Sequence, residues 1–530
     1  MDEEKTSMKE KSSSDIIAAQ DAEGLGTMGH VQSLSRKFSP WSMLALSFSV
    51  LGTWATFAVD LSNGLTNGGP ITILYGLLLV TFCNLCVALS LGELCSSMPT
   101  ALGQAYWVSR IWKSPMGRLV SYSCAWINVF GWWTLAASQN AFMTEIILGI
   151  KTISDEDWAG TRLGWLKFVI YVSVTMVMTL SNVVACRKDW ILRWFNNLVG
   201  AWFGGEFIVF SLAILIAVGV KDDLSFQPAS FVFGRWINDT AWSDGVAWFI
   251  GLVQSAYGLT AFDAVIHLIE ELPSPQRNGP RVLWLSIVSG AVSGGIFMIV
   301  CLFCIQNLEN VLDPASGLPF VELVKQTVGP QGTIVLFGLF IFNMLGQGIS
   351  ITTTASRLTW GFARDGGLPF SSYLTHVDTY WNVPARALWA QGVIISLVGV
   401  LYFFTEAAVD AVVSVTTIAL TMSYALPIFA VVVFGMSDIP LGPFSLGRLR
   451  PIINWVGLIY CCITTVFFFF PGSPSPGVST MNWAIAVFGA MVLVAIGFWF
   501  IKGKRTYLQT EGALGEVFRA AQMEILDTTT

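Results

Sequence analysis

A small set of ionisable residues lies inside long apolar stretches of this 530-residue sequence. Asp263 is followed at i+4 by His267 and at i+7 by Glu270, a spacing that places all three side chains on one helix face. Glu206 follows two glycines in the middle of another apolar stretch. An ionised carboxylate is costly in apolar surroundings and protonation lowers that cost, so such groups can exchange a proton. Glu206, Asp263 and His267 are therefore candidate proton-coupling residues, with a static hydrogen-bonded network as the alternative for the Asp263 face.

Glycines in the middle of two other apolar stretches indicate a substrate-binding function. Gly52-Thr53-Trp54 lies at the centre of residues 41–65, and Tyr257-Gly258 lies at the centre of residues 243–269. A helix that unwinds at such a point frees backbone N–H and C=O groups, which can then bind a substrate. The aromatic faces of Trp54 and Tyr257 can hold an ammonium group by cation–π attraction. The alternative is that the glycines only allow close helix packing.

The elements that position these residues are about twelve predicted membrane-spanning helices. Apolar residues make up 54% of the chain, charged residues only 12%, and the mean hydropathy is +0.65. Runs of roughly 20 apolar residues, enough to cross a hydrocarbon core of about 30 Å, recur along the sequence. They carry no alternating pattern, which argues against a membrane β-barrel. The predicted spans are 41–65, 71–95, 119–148, 165–184, 194–219, 243–269, 283–305, 333–356, 386–404, 411–435, 452–470 and 482–501.

The two glycine-containing spans are the first and the sixth, five helices apart. Many secondary transporters consist of two five-helix inverted repeats in which the first helix of each repeat is broken at the bilayer midplane. The predicted fold is therefore an all-α polytopic membrane protein with a 5+5 inverted repeat and two further C-terminal helices. The predicted parts are a disordered N-terminal tail (1–40), a first repeat (41–220), a second repeat (242–435), helices eleven and twelve (452–501) and a C-terminal tail (502–530).

The basic residues predict the orientation of the chain in the lipid bilayer. Most of the 28 Lys and Arg residues fall in the connections on the side of both tails, which places that side in the cytoplasm. The first forty residues lack the apolar core and cleavage site of a secretory signal, so the first helix is expected to direct insertion. We expect a multi-pass protein of the plasma membrane. Asn238-Asp239-Thr240 lies in a predicted outside loop and makes Asn238 a candidate glycosylation site.

Several function classes are disfavoured by what the sequence lacks. The net charge of −6 is spread over loops on both sides, which argues against a nucleic-acid partner. The nine cysteines lie in or beside apolar helices and there are only three histidines, so no metal and no cofactor is expected. The absence of a G-x-x-x-x-G-K-[ST] loop argues against an ATP-driven pump, and the absence of a G-x-S-x-G elbow argues against an enzyme.

Three stretches of sequence resemble a known family. They are GELCSSMPTALGQAYWVS at 92–109, SAYGLTAFDAVIHLIEELPSPQRNGPR at 255–281 and SRLTWGFARDGGLP at 356–369. Together with NGGP at 67–70, they resemble the amino acid–polyamine–organocation superfamily, and most closely its fungal amino acid/choline transporter branch. The resemblance covers about residues 40 to 500 and implies an inverted-repeat fold with substrate at the broken first and sixth helices.

The resemblance of the sixth-helix motif implies roles for two residues of this chain. By position, Tyr257 resembles the aromatic gate residue and Gly258 resembles part of the unwound stretch. The first helix departs from the family pattern, because Gly52-Thr53-Trp54 replaces its usual small-residue break and reshapes the expected pocket. A substrate carboxylate would suit the positive end of a half-helix, while an ammonium group would suit Asp263 or an aromatic face.

These observations predict a proton-coupled secondary transporter for an amino acid, a γ-aminobutyrate-like compound, choline or a related small amine. A transporter of a specialised nitrogenous metabolite or its precursor is one alternative, and a transport-dead nutrient sensor is another. Sodium coupling through Thr352, Thr353 and Thr354 is the alternative to proton coupling. We expect Arg277, Arg281, Arg364 and Arg386 to lie on the side of both tails. They should help close that side by pairing with carboxylates such as Glu270, Glu271 or Asp365.

Overall fold

The computed structural model describes residues 21–26, 28–30, 34, 36–155, 158–185, 189–314, 316–378, 380, 383–403, 407–477 and 481–509. The predicted tails lie largely outside these residues. Within the described part, the chain is helical, and its only β-structure is two isolated bridges, Asn67 with Asn238 and Asp378 with Val383. The prediction of an all-α polytopic membrane protein is confirmed.

Sixteen helices of the described chain form or interrupt the predicted spans or directly join them, and further helices lie in the connections. The sixteen are α1 Pro40–Leu51, α2 Thr53–Val59, α3 Leu61–Thr66, α4 Leu77–Ser97, α5 Gln104–Ile111, α6 Pro115–Ser154, α7 Gly164–Ala185, α8 Asp189–Val220, α9 Asp244–Gly258, α10 Ala264–His267, α11 Pro275–Cys304, α12 Pro330–Arg364, α13 Ala385–Val398, α14 Ala407–Phe434, α15 Arg450–Phe467 and α16 Ala484–Phe498. The shorter helices are Gly69–Ile71, Ala229–Gly234, Leu308–Leu312, Pro319–Val328, Ser371–Leu374 and Lys504–Thr506, and a π-helical turn at Thr72–Gly76 leads into α4.

Ten stretches of the described chain are long and apolar enough to cross a membrane. The two predicted spans missing from this set are 119–148 and 243–269. The first corresponds to α6, which has 40 residues but carries buried polar side chains such as Asn128, Gln139 and Asn140. The second is divided between α9 and α10 and has no continuous helix of sufficient length. Both exceptions are helices whose polar groups face the protein interior.

Helix starts follow from local chemistry. Ser39 caps α1, where its hydroxyl accepts the N–H of Ser42 at 3.2 Å and Pro40 occupies the first helical position. Ser114 caps α6 in the same way, with Gly117 as the donor at 3.0 Å. Proline is favourable at the first helical position because its missing N–H would have no partner there.

Helices that lie five spans apart pack against one another. The second predicted span contacts the seventh (α4 with α11), the third contacts the eighth (α6 with α12) and the fourth contacts the ninth (α7 with α13). An additional extensive contact joins α6 to α14. The broken helices α1–α2 and α9–α10 are thereby enclosed by long helices.

Both ends of the described chain lie on one face, which we call the terminal face. The described residues among 21–38 form an N-terminal segment against it, where Asp21 accepts the N–H of Ser274 at 3.1 Å and Phe38 donates to the carbonyl of Glu271 at 3.3 Å. At the other end, the N–H of Leu508 donates to the carbonyl of Asp365 at 3.0 Å. Loops 268–276 and 365–370 are thus covered by the chain's own ends.

Candidate functional site

The first helix is interrupted at the predicted glycine. Gly52 has a φ of +54°, in the left-handed region that favours glycine, and separates α1 from α2. A Cβ at Gly52 would lie 2.0 Å from Nε2 of Gln347 on α12. That amide donates to the carbonyl of Val50 at 3.3 Å and so satisfies a backbone group that the break leaves without a helical partner. Glycine therefore provides both the turn and the space for Gln347.

The sixth helix is interrupted over a longer stretch. Here α9 ends at Gly258 and α10 begins at Ala264, and Ala261 between them has a φ of +68°. Asn84 on α4 donates to the carbonyl of Leu259 at 3.3 Å, and the N–H of Ala261 donates to the Tyr424 hydroxyl on α14 at 3.2 Å. The predicted breaks at Gly52-Thr53-Trp54 and at Tyr257-Gly258 are therefore confirmed, and the second extends from Gly258 as far as Asp263.

The two broken helices touch each other directly. A Cβ at Gly258 would lie 2.3 Å from the Phe57 ring on α2. Gln254 on α9 donates to the carbonyl of Phe57 at 3.0 Å. A larger residue at Gly258 would therefore push the two half-helices apart. The two interpretations of this glycine, close helix packing and helix interruption, are both correct.

Tyr257 and Trp54 occupy different surroundings. The Tyr257 hydroxyl lies 2.8 Å from the Ser138 hydroxyl on α6, and its ring meets Phe142 at 6.1 Å, edge to face. Trp54 is fully buried, and Thr53 next to it packs against Gly290 of α11. The Trp54 ring lies among five phenylalanines of α8, α11 and α12: Phe203, Phe207, Phe210, Phe297 and Phe340. This placement favours a packing role for the Trp54 side chain. If Trp54 contacts the substrate as predicted, its backbone at the break must make the contact.

Asp263 is the centre of a buried hydrogen-bond network. Its carboxylate accepts from the Tyr424 hydroxyl at 2.7 Å, from Nε2 of Gln104 at 2.8 Å and, more weakly, from Nε1 of Trp132 at 3.4 Å. Nε2 of His267 lies 2.9 Å from the same carboxylate. The donors come from α5, α6, α10 and α14. These donors hold the Asp263 side chain in one position at the end of the interrupted stretch.

His267 links Asp263 to the loop before α5. Nδ1 of His267 lies 3.0 Å from the carbonyl of Ala101, which can only accept, so that nitrogen carries a hydrogen. The N–H of Ala101 donates to Glu270 at 3.0 Å. The backbone of Ala101, in the loop before α5, therefore links His267 to Glu270. Together with the contact of His267 and Asp263, this connects all three residues of the predicted face.

Glu206 lies in a much less polar environment. Its side chain is buried on α8, beside the aromatic cluster around Trp54, and neither carboxylate oxygen has a hydrogen bond of ordinary geometry. Its polar neighbour is the buried amide of Asn343 on α12. An ionised carboxylate with so few donors is costly in such surroundings, and protonation lowers that cost.

Two arginine–carboxylate pairs close the terminal face. Arg364, at the end of α12, forms a bidentate pair with Glu270 at 2.9 and 3.0 Å. Arg357, which precedes Arg364 on the same helix α12, pairs with Glu271 at 3.0 Å, and both of these side chains are fully buried. The expected pairing of Arg364 with Glu270 is confirmed. Both pairs join the end of the broken sixth helix to α12.

The candidate glycosylation site is engaged in a turn. The Asn238 side chain donates to the carbonyl of Trp242 at 2.9 Å and to Asp244 at 3.0 Å, and it accepts from the Thr240 hydroxyl at 2.7 Å. Its backbone bridges to Asn67 next to the end of α3. Glycosylation would require this turn to open, so modification of Asn238 stays a prediction.

Several residues of the site were not predicted from the sequence. Tyr424, Gln104 and Asn84 hold the broken sixth helix from three other helices, and only their polarity within apolar stretches could have indicated them. Asp60 causes a further interruption between α2 and α3, for which a carboxylate inside the first apolar run was the available signal. Among the residues that the structure describes, no group of His, Cys, Asp and Glu could hold a metal ion.

The comparison with known proteins agrees with this architecture. Residues 38–504 match the family described as amino acid permease. The chain is 28% identical to a choline transporter of Saccharomyces cerevisiae, over 91% of this chain and 84% of the relative. It is 27% identical to a GABA-specific permease of the same yeast (92% and 85%) and 26% identical to the amino-acid permease BAT1 of Arabidopsis thaliana (91% and 95%).

These matches confirm the resemblance to the amino acid–polyamine–organocation superfamily and its amino acid/choline branch. They are permeases and transporters and not enzymes, as the sequence predicted. The ten apolar spans agree with an integral, multi-pass membrane protein. The chain belongs to the amino acid permease family and is a membrane transporter.

Proposed function

We propose that this transporter is a proton-coupled symporter for a small amine, namely an amino acid, a γ-aminobutyrate-like compound, choline or a related compound. The observation that carries the proposal is the contact between two interrupted helices at the centre of the protein, with Gly258 against Phe57. Freed backbone groups and Tyr257 lie at this contact, where both ends of a zwitterion can be bound. The names of the yeast relatives, a choline transporter and a GABA-specific permease, support the same substrate range.

Proton coupling is assigned to Glu206. A buried carboxyl with no well-formed hydrogen bond is neutral at rest and becomes costly when it loses its proton. It lies on α8, beside phenylalanines that pack on Trp54 and therefore on the broken first helix. Protonation of Glu206 can thereby be linked to the position of that helix. Asp263 and His267, whose side chains lie 2.9 Å apart, are the second pair of coupling candidates.

The threonines proposed for sodium coupling support that alternative less well. Thr353 donates to the carbonyl of Ile349 at 2.8 Å, and Thr354 donates to the carbonyl of Ser350 at 3.1 Å. Both hydroxyls therefore bond to their own helix. A sodium site needs several oxygen ligands directed at one point.

We assign the terminal face to the cytoplasm, since most basic residues of the connections lie with both tails. The plasma membrane is the proposed location. The packing of helices five spans apart supports two repeats, 41–220 and 242–435, followed by two further helices.

The test is uptake into proteoliposomes that hold the purified protein in sodium-free buffer. An inward proton gradient should stimulate uptake by the unmodified protein. Glu206→Gln should lose this stimulation but keep substrate counterflow, because the neutral amide imitates the protonated acid. Glu309→Gln, at an exposed position, serves as the matched control and should behave as the unmodified protein. Sodium-dependent uptake, or an unchanged response of Glu206→Gln to pH, would refute the proposed coupling.

A further inference from the structure

A cavity of about 330 Å³ opens at the terminal face, beside the end of the last membrane span. Loop 366–370 forms one side of it, and a π-helical turn after α16, Trp499–Gly503, forms the other. Tyr122 of α6 joins the two sides. Its hydroxyl donates to the carbonyl of Gly367 at 3.1 Å, and a Cβ at Gly503 would lie 2.8 Å from its ring. The walls of the cavity are therefore fixed against one another.

The cavity lies at the boundary of the lipid bilayer. Ala484–Thr506 is one of the stretches that are long and apolar enough to cross a membrane, and Lys502, which lines the cavity, belongs to its last turns. Two other lining side chains, Phe370 and Ile501, are 77% and 74% exposed. Exposed apolar side chains at the end of a span are covered by lipid in a membrane. The rim of the cavity is therefore suited to the apolar part of a lipid molecule.

Basic residues are concentrated at the same place. Lys502, Lys504 and Arg505 are exposed at the end of the span, and they form no ion pair with any residue that the structure describes. Lys502 and Arg505 are three residues apart, a spacing at which helical side chains are neighbours. A fourth cation, Arg118 of α6, donates to the carbonyl of Lys504. None of the described residues that line the cavity is acidic, so these charges favour an anionic ligand.

We propose that the cavity binds the headgroup of one anionic phospholipid, with its phosphate paired to Lys502 and Arg505 and its acyl chains against Phe370 and Ile501. A soluble phosphate ester has the same charge but no apolar part to cover the two exposed side chains, so the lipid is the occupant that fits both features. The terminal face is the side assigned above to the cytoplasm, and the cytoplasmic leaflet contains anionic phospholipids. None of the described lining residues belongs to the broken helices, so this site is separate from the proposed substrate site.

The bound lipid would also support the closed terminal face. The Thr506 hydroxyl donates to the carbonyl of Gly366 at 2.8 Å, and Gly366 follows Arg364 by two residues. A headgroup held by Lys502 against loop 366–370 adds a connection between the same two segments. A ligand that binds the folded state stabilises that state by mass action, so anionic lipid should raise the midpoint of thermal unfolding.

Dioleoylphosphatidylserine and dioleoylphosphatidylcholine are matched probes, because they share their acyl chains and differ in headgroup charge. Native mass spectrometry of the purified full chain, with an equimolar mixture of both lipids in detergent, counts the lipids that stay bound. We expect one phosphatidylserine to be retained about tenfold or more over phosphatidylcholine. Lys502→Gln combined with Arg505→Gln should remove this preference. Arg448→Gln, which removes an exposed cation elsewhere on the terminal face, should keep it.

The melting temperature provides a second measurement. Phosphatidylserine should raise the unfolding midpoint of the unmodified protein and of Arg448→Gln, but not that of the double variant. Should the double variant fail to fold, Lys502→Gln alone decides.

Three results would overturn the site. One is equal retention of the two lipids by the unmodified full chain, as expected if the acidic residues of 510–530 occupied the cavity. Another is an equal loss of preference in Arg448→Gln and in the double variant, which would indicate a general effect of surface charge. The third is displacement of the bound lipid by the same concentration of glycerophosphoserine, which lacks acyl chains. The proposed transport function stands in all three cases, since lipid binding is measured apart from uptake.

Discussion

The Asp263 carboxylate illustrates how single residues hold this site together. It accepts from Tyr424 and Gln104 and lies 2.9 Å from Nε2 of His267, all in a fully buried position. Because water cannot replace these partners, the network fixes the unwound stretch between α9 and α10 against α5 and α14. The position of this stretch therefore depends on one side chain.

We expect Asp263→Asn to destabilise the protein by about 3–5 kcal/mol, the usual cost of removing one partner of a buried charged pair. The new amide nitrogen would face the Tyr424 hydroxyl in one orientation and the Gln104 amide in the other, so one donor loses its acceptor. Thermal unfolding in detergent should show a clearly lower midpoint. Tyr424→Phe should cost less, about 1–3 kcal/mol, because it removes hydrogen bonds without breaking the charged pair. Equal midpoints for Asp263→Asn and the unmodified protein would contradict the network described above.

For single residues, spacing along the sequence predicted the contacts that lie within one helix. The i+4 relation of Asp263 and His267 placed them in contact, and they are in contact. The partners Tyr424, Gln104 and Trp132 are supplied by helices far away in sequence, and no local pattern encodes which side chain reaches across. The direction of Trp54 was likewise not predictable, because it depends on how the first helix is rotated against α8.

Among the elements, the contact of the two broken helices depends on the absence of a side chain. A Cβ at Gly258 would lie 2.3 Å from Phe57, whereas a Cβ at Gly205 would meet nothing within 4 Å. We expect Gly258→Ala to destabilise the protein by about 1–3 kcal/mol through overpacking and to impair counterflow strongly. Gly205→Ala is the matched control and should leave both unchanged.

A second substitution sharpens this test. Phe57→Leu removes the ring that the new methyl group would meet, so we expect it to restore much of the counterflow lost in Gly258→Ala. Failure of this rescue would mean that the packing between α2 and α9 is not what Gly258→Ala disturbs. Normal transport by Gly258→Ala alone would contradict the close approach altogether.

The breaks themselves were predictable, since glycine and polar residues in the middle of an apolar helix conflict with packing in lipid. Their extent was not. The stretch between Gly258 and Ala264 is held open by Asn84 and Tyr424, which lie more than 150 residues from it along the chain. The interruption at Asp60 was missed because neither glycine nor proline marks it in the sequence.

For the molecule as a whole, Arg364 and Glu270 determine whether the terminal face is closed. Burial alone would raise the pKa of Glu270, but the Arg364 guanidinium opposes it and holds the pKa below the ordinary value. A carboxylate with a lowered pKa stabilises the paired state above the ordinary pKa of about 4.3, and this contribution is lost as pH falls through the lowered value. The closed face is therefore most stable near neutral pH.

Acidification should then open the terminal face. The reporter is Thr100→Cys, at a fully buried position of the terminal-face loop, in a Cys462→Ser background that removes the described exposed thiol. We expect labelling of this reporter by a pyridyl disulfide, which reacts with thiols in acid, to rise relative to that of a free thiol as pH falls below the ordinary pKa of a glutamate carboxyl. Arg364→Gln should give high labelling at neutral pH already, with a weaker pH response. Labelling that does not depend on Arg364 would show that this pair does not close the face.

The N-terminal segment has a consequence for the direction of transport. Asp21, which pairs with Arg36 at 3.3 Å, holds the segment to the closed terminal face by accepting the N–H of Ser274. A segment that binds one of two conformations changes their ratio, and about 3 kcal/mol of such binding changes it about 100-fold. A substrate arriving from the terminal side would then meet an open binding site about 100 times less often, whereas access from the opposite side would not be reduced. Transport would therefore favour one direction, and a segment outside the membrane would set this preference.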